Sequence, residues 1–222
     1  TSFFKILTVG FQCFRHTCAI NPRIVVPQRW FYKVCFTISR SMLITDDVAA
    51  QAAEYLSKHD LVLRPVIAEV GLTTMRPHTD YYRELVESII GQQLSIKAAA
   101  AIEGRFVAMF EGEFPTPEQI LTKSDEDLRA IGFSYAKARY VRDLAVHVLD
   151  GTVTFTNLNM LSNDEIVGEF TKVKGIGEWT MHMFLMFCMG RSDVLPVGDL
   201  GIKNGIRALY GLEKAPTPDE IR

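Results

Sequence analysis

The chain has 222 residues, 48% of them hydrophobic and 23% charged, with a mean hydropathy of +0.10. That is enough apolar mass for one sizeable core or two small ones, and it excludes a disordered chain. The formal net charge of −2 gives no overall basic footprint, and no apolar run is long enough to span a membrane, so the chain is expected to be soluble.

The first segment, residues 1–41, stands apart. It holds six of the 24 Lys/Arg (Lys5, Arg15, Arg23, Arg29, Lys33 and Arg40) and no acid, leaving 18 Lys/Arg against 26 Asp/Glu from Met42 onward, near −8. Three origins fit: a basic, acid-poor transit peptide, a small strand-bearing domain, or translated upstream sequence with Met42 as the true start. Aromatic and β-branched content (Phe3, Phe4, Trp30, Phe31, Tyr32) suits a transit peptide poorly and favours the third. Cys13, Cys18, Cys35 and Cys188 show no metal-ligand spacing, which predicts a reduced, intracellular protein.

From Met42 the punctuation is helical. Asp46 or Asp47 caps an Ala-rich helix to about Ser57, a second runs from His59 to Val70, and Thr79 or Asp80 caps YYRELVESII up to Gly91. Tyr82, Val86, Ile89 and Ile90 share one face of it. Gln92-Gln93-Leu94 interrupts, Ser95 caps the helix that continues to Phe110, and a Pro115/Pro117 turn follows. Then come a short helix, one capped by Ser124 with Asp125, Glu126 and Asp127 in its first turn, and a longer one over Tyr135–Leu149 that Gly151 stops. Asn163-Asp164 caps the next helix. No paired strands are expected after residue 42, so residues 42–222 read as an all-α, multi-helix domain.

The most informative stretch is Val167–Tyr210, expected as a short helix, a hairpin at Gly175-Ile176-Gly177, a helix from about Thr180 to Cys188, and a loop that delivers Asp199 to a third helix. Two glycines one residue apart let the chain reverse tightly and turn several amides to one side, where they and a helix N-terminus suit a DNA phosphate. A bare Gly-x-Gly is equally a helix corner that merely turns.

Lys172-Val173-Lys174-Gly175-Ile176-Gly177-Glu178-Trp179-Thr180 and Val194-Leu195-Pro196-Val197-Gly198-Asp199-Leu200-Gly201-Ile202 resemble the helix-hairpin-helix, Gly/Pro-rich loop and aspartate signature of the DNA base-excision glycosylase (HhH-GPD) superfamily. Within it the resemblance is nearest to the alkyladenine branch, the 3-methyladenine DNA glycosylase II type, and covers about residues 55–222. It implies an enzyme of base excision repair that flips an alkylated purine such as 3-methyladenine or 7-methylguanine out of double-stranded DNA and hydrolyses its N-glycosidic bond. Two rivals remain: a glycosylase of the same fold for oxidised or mispaired bases, and a catalytically silent DNA-binding module.

The resemblance assigns residues. Asp199 becomes the catalytic carboxylate; on position alone it is a helix N-cap contributing about 1 kcal/mol, and the two roles coexist. Trp179 stands where the lyase branches carry a nucleophilic lysine, which implies a monofunctional enzyme that leaves the strand intact. Its face also suits a cationic purine, although a core tryptophan under the hairpin fits the same residue. Phe133 and Ser134 match a segment lining the base pocket; Phe133 is equally ordinary core. Gln92-Gln93-Leu94 matches the minor-groove wedge, with Gln93 at its tip, or is a solvated loop. Lys174, Gly175, Gly177 and Thr180 match DNA-binding positions. The carbonyls of Thr171, Val173 and Ile176 match those that hold a structural monovalent cation, Na or K; no other cofactor and no Fe-S cluster are expected. His182 reads as a satisfied core histidine. Lys97, Lys137, Arg139, Lys172, Lys174 and Lys203 are the local positives that offset the acidic body. The protein is expected to be a monomer with no membrane partner, located with the DNA.

Thr217, Pro218, Asp219 and Glu220 begin a helix carefully, and the resemblance implies further helices beyond Arg222. The chain therefore reads as truncated, with apolar surface expected to be uncovered around Tyr82–Ile90 and Ile206–Leu209.

Overall fold

The computed structural model describes residues 43–72 and 77–222; the basic segment 1–41 lies outside the described residues. The helices are α1 (Asp46–His59), α2 (Leu63–Val70), α3 (Tyr81–Gly91), α4 (Ile96–Ala108), α5 (Pro117–Leu121), α6 (Asp125–Ala130), α7 (Tyr135–Leu149), α8 (Asn163–Phe170), α9 (Glu178–Met183), α10 (Leu200–Leu209) and α11 (Pro218–Ile221). A 3₁₀ turn covers Leu158–Met160, and α9 runs on as a π-helical turn over Phe184–Cys188. Among the described residues no strand forms, only an isolated bridge between Leu43 and Arg191. No helix of the described residues is long and apolar enough to cross a membrane.

Several boundaries differ from the sequence expectation, each for a capping reason. Thr45 caps α1 by accepting from the Val48 amide at 3.3 Å, so Asp46 and Asp47 sit in the first turn, where the helix dipole favours acids. α2 starts at Leu63 rather than His59 because Asp60 Oδ1 accepts from the Val62 and Leu63 amides at 2.8 and 2.9 Å and separates the two helices. α8 is capped by Ser162, in a reciprocal box with Glu165, not by Asn163-Asp164. Gly177 is the N-cap of α9, which starts at Glu178, two residues before the expected start of that helix. Ser95, Ser124 and Thr217 cap α4, α6 and α11 as expected.

The chain divides into two compact units, one made of the described residues up to Pro77 with Gly190–Arg222, the other of His78–Met189. In the second unit α7 is the hub, packing against α3, α5 and α6. Its inward residues Ala138, Val141, Leu144 and Ala145 are fully buried, as are Leu85, Val86 and Ile89 of α3. Each large aliphatic side chain so removed from water contributes about 1.5–3 kcal/mol. This burial also corrects the expectation of uncovered apolar surface around Tyr82–Ile90: Leu85, Val86, Ile89 and Ile90 are buried, Ile90 at 1% exposure, and Tyr82 is half-buried. Aromatic rings continue the core, Phe106 stacking on Phe133 and meeting Phe110 edge-on, both at 5.4 Å.

In the first unit, α1 and α2 pack together, and the Ile44 amide donates to Gly190 O at 2.7 Å. Tyr210, at the end of α10, donates its hydroxyl to Asp60 Oδ2 at 2.6 Å. Burial, followed by the Asp60 carboxylate, pushes the Tyr210 pKa up and keeps that donor protonated. No α10 residue is fully buried; Ile206 and Leu209 are half-buried and Leu200 is 70% exposed.

Candidate functional site

The hairpin begins where α8 ends at Phe170. The Val173 amide donates to Phe170 O and the Ile176 amide to Val173 O, both at 3.1 Å, which closes two successive turns. Val173 and Ile176 point their apolar side chains into the core, at 1% and 3% exposure, and so tie the turn to the unit. Gly175 carries φ 85°, and a Cβ there would lie within 2.7 Å of three carbons of the Tyr140 ring; only glycine meets both conditions. Gly177 has φ −103° and nothing within 4 Å of its notional Cβ. Its smallness is therefore not required by packing, and of the two hairpin glycines only Gly175 holds a positive φ. The Gly175 and Gly177 amides find no acceptor among the described residues.

Not every hairpin amide is available. The Lys174 amide donates to Asp143 Oδ2 at 2.8 Å, and Lys174 Nζ lies 3.3 Å from Asp143 Oδ1. Lys137, expected as a surface positive, is committed internally: its Nζ donates to Ile90 O at 2.8 Å and Gln92 O at 2.6 Å. Burial lowers its pKa from the ordinary lysine value, while the two carbonyls favour the ammonium. Gln92 Nε2 donates to Gly175 O at 2.7 Å, so its side chain faces the hairpin and is not at the wedge tip. Gln93 is exposed and holds φ 57°, rare for a residue with a Cβ. Leu94 is half-buried beside it, its amide donating to Gly91 O at 3.2 Å.

Trp179 is 44% exposed, which rules out the fully packed tryptophan under the hairpin. Thr180, expected to meet DNA, is 6% exposed and belongs to the packed side of α9. Phe133, expected in the pocket lining, is 3% exposed and stacked on Phe106, which makes it a core residue of this unit. Ser134 caps α7 by accepting from the Lys137 amide at 3.2 Å. His182 is partnered as expected but sits at the margin of the core, its side chain 20% exposed and its Nε2 3.7 Å from Glu178 Oε1. A cavity of about 510 Å³ flanks the hairpin, lined by Arg139, Tyr140, Arg142, Asp143, Val146 and Lys174 among others. None of Trp179, Phe133 and Ser134 lines it.

Cys188 is not isolated either. Its Sγ is 3.8 Å from His78 Nδ1, and His78 Nε2 is 3.2 Å from Glu84 Oε2, so the fold assembles a ligand-like cluster that spacing does not reveal. The three offer ligand atoms within 4.8 Å of one another. Burial, then the Glu84 and Asp80 charges, push the thiol pKa up, against the thiolate that a metal or a nucleophile requires.

Asp199 belongs to the first unit. It is the N-cap of α10, with Oδ1 accepting from the Ile202 amide at 2.8 Å and its own amide donating to Pro196 O at 2.9 Å. Those two bonds and Pro196 fix the carboxylate at the positive end of the helix. A Cβ at position 201 would lie 3.0 Å from Asp199 Oδ1, so Gly201 clears the carboxylate. A Cβ at Gly198 would meet nothing within 4 Å.

The signature of the HhH-GPD superfamily base excision DNA repair proteins matches residues 86–222. DNA-3-methyladenine glycosylase 1 of Schizosaccharomyces pombe is 43% identical over 138 residues, 61% of this chain and 60% of that protein. The alkylbase DNA glycosidase-like protein mag2 of the same yeast is 30% identical over 176 residues, 77% of this chain and 83% of that one. Among solved structures, the S. pombe 3-methyladenine DNA glycosylase Mag1 in complex with abasic DNA superposes with a TM-score of 0.65 at 38% identity, over 76% of this chain and 84% of that one.

Proposed function

The chain belongs to the HhH-GPD superfamily of base excision DNA repair proteins, and from that membership we propose that it is a monofunctional DNA glycosylase that removes alkylated purines from double-stranded DNA. The observation that carries this reading is the carboxylate of Asp199, held at the start of α10 by the Ile202 amide and given room by Gly201.

The chemistry follows from charge. Alkylation at a ring nitrogen leaves a purine positively charged, so when the C1′–N bond breaks the base departs neutral and needs no acid. Charge develops on the sugar, which becomes cationic, and a fixed carboxylate stabilises it and orients the water that adds to C1′. The half-exposed ring of Trp179 offers a face that attracts a cation by about 0.5–2 kcal/mol. Because indole has no nucleophilic amine, water is left as the nucleophile and the strand stays intact.

DNA is held without reference to sequence. The Gly175 and Gly177 amides suit phosphate oxygens, and the open space beside Gly177 lets a backbone approach. The carbonyls of Thr171, Val173 and Ile176 are hard oxygen donors; Val173 O already accepts from Ile176 N and keeps a second lone pair, so together they would hold a sodium or potassium ion, whose positive charge would favour a nearby phosphate. Gln93 and Leu94 occupy the loop that fills the gap left by the extruded base.

The test is chromatography of the bases released from methylated and from oxidised duplex DNA. Release of free 3-methyladenine or 7-methylguanine supports the reading; release only from oxidised DNA moves the enzyme to another branch, and release from neither leaves a DNA-binding module.

A further inference from the structure

One face of α7 holds both DNA-directed loops of its unit. Lys137, Tyr140 and Asp143 follow one another at three-residue steps, so they lie along one side of the helix over about 9 Å of its axis. Lys137 binds the loop after α3 through Ile90 O and Gln92 O. Tyr140 lies beneath the only side of Gly175 on which a side chain would have stood. Asp143 takes the Lys174 amide and faces its ammonium. Gln92 then closes the circuit by donating from the loop to Gly175 O. The two loops are therefore in register with each other as well as with the helix.

Resting on the glycosylase reading, we propose that Lys137 and Gln92 form a strut that fixes the Gln93-Leu94 wedge relative to the phosphate-gripping hairpin, making Lys137 a positioning residue for base extrusion. The physical need is local. α3 ends with carbonyls that have no helical partner, and Gln93, which follows Gln92, holds a left-handed backbone that a residue with a side chain adopts only at a cost. A loop in that state keeps one conformation only when its flanks are pinned. The ammonium pins the preceding carbonyls and the Gln92 amide pins the loop to the hairpin. Force on the wedge as a base leaves the stack is then resisted at the phosphate grip, not absorbed by the loop.

The test separates extrusion from chemistry. Excision is measured under single turnover on two methylated duplexes, one with the lesion paired and one with it opposite an abasic site, where less pairing has to be broken. Beside the lesion, 2-aminopurine brightens as the base turns out. Lys137→Met should lower the rate on the paired lesion about 10- to 100-fold, the worth of hydrogen bonds to a charged group. On the unpaired lesion it should stay within about threefold. The 2-aminopurine amplitude should fall for Lys137→Met and for Gln92→Met, which cuts the strut at its other end. Lys137→Gln, which keeps a donor, should fall between wild type and Lys137→Met, and it carries the comparison if Lys137→Met does not fold. Equal loss on both duplexes, or no loss on either, overturns the strut. If wild type releases no base from either duplex, the glycosylase reading fails instead, and the fluorescence amplitude still reads the strut.

Discussion

Replacing Gly175 with alanine is the sharpest perturbation of the hairpin. The new Cβ would stand within 2.7 Å of Tyr140 Cγ, Cδ2 and Cε2 at a residue whose φ is +85°. The left-handed backbone costs about 1–2 kcal/mol for a residue with a side chain, and overpacking adds about 1–3 kcal/mol. The sum, roughly 2–5 kcal/mol, lowers the melting temperature by roughly 5–20 °C for a chain of this size. It is a large part of the 5–15 kcal/mol that holds a typical domain together. The assay is thermal unfolding with duplex affinity measured in parallel. Gly175→Ala combined with Tyr140→Ala should recover the clash and leave the backbone cost, so the double variant should be more stable than the sum of the two singles. Strict additivity, or a Gly175→Ala protein as stable as wild type, would refute this account of the hairpin.

Other outcomes follow from the same geometry. Borohydride added to reaction mixtures should trap no covalent enzyme–DNA adduct, since the proposed reaction uses water and the Trp179 indole offers no nucleophilic amine; a strong trapped band on a denaturing gel would contradict monofunctional chemistry. Ile89→Ala, at a fully buried position of α3, should destabilise by about 2–5 kcal/mol, read by urea titration. Acid should weaken the helix starts: backbone amides and hydroxyls at the caps hold the carboxyls of Asp127 and Glu220 below their ordinary values. Because the folded pKa is the lower one, this stabilisation is complete above about pH 4 and lost as pH falls through the folded value. Asp127→Asn should flatten part of the pH dependence of melting below about pH 5, and an unchanged profile would remove Asp127 from the explanation.

Helix identity was legible wherever a capping residue met an apolar period, as at Ser95, Ser124 and Tyr135–Leu149. It was misplaced where two polar residues competed to cap, as at Thr45 against Asp46 and Ser162 against Asn163, because side-chain reach decides and spacing alone does not. The hairpin and Asp199 were legible through a local signature. What supports them was not. Tyr140 under Gly175, Asp143 on the Lys174 amide and Lys137 on the Ile90 carbonyl are contacts across 31–47 residues of sequence or between a ring and an absent Cβ. The i, i+3, i+6 spacing of Lys137, Tyr140 and Asp143 was present, but only the neighbouring loops give it meaning. Phe133 carried two readings in the sequence, pocket lining by likeness and ordinary core, and its 3% exposure against Phe106 accords with the second.

The most direct test of the central claim is Asp199→Asn in single-turnover base release from methylated duplex DNA, with duplex affinity and melting measured on the same protein. Asparagine caps a helix about as well as aspartate, so fold and affinity should persist while release of free methylated purine drops by several orders of magnitude. Release within about tenfold of wild type, less than the 10²–10³ lost when a single preorganised electrostatic group is removed from an active site, would contradict a catalytic carboxylate at Asp199.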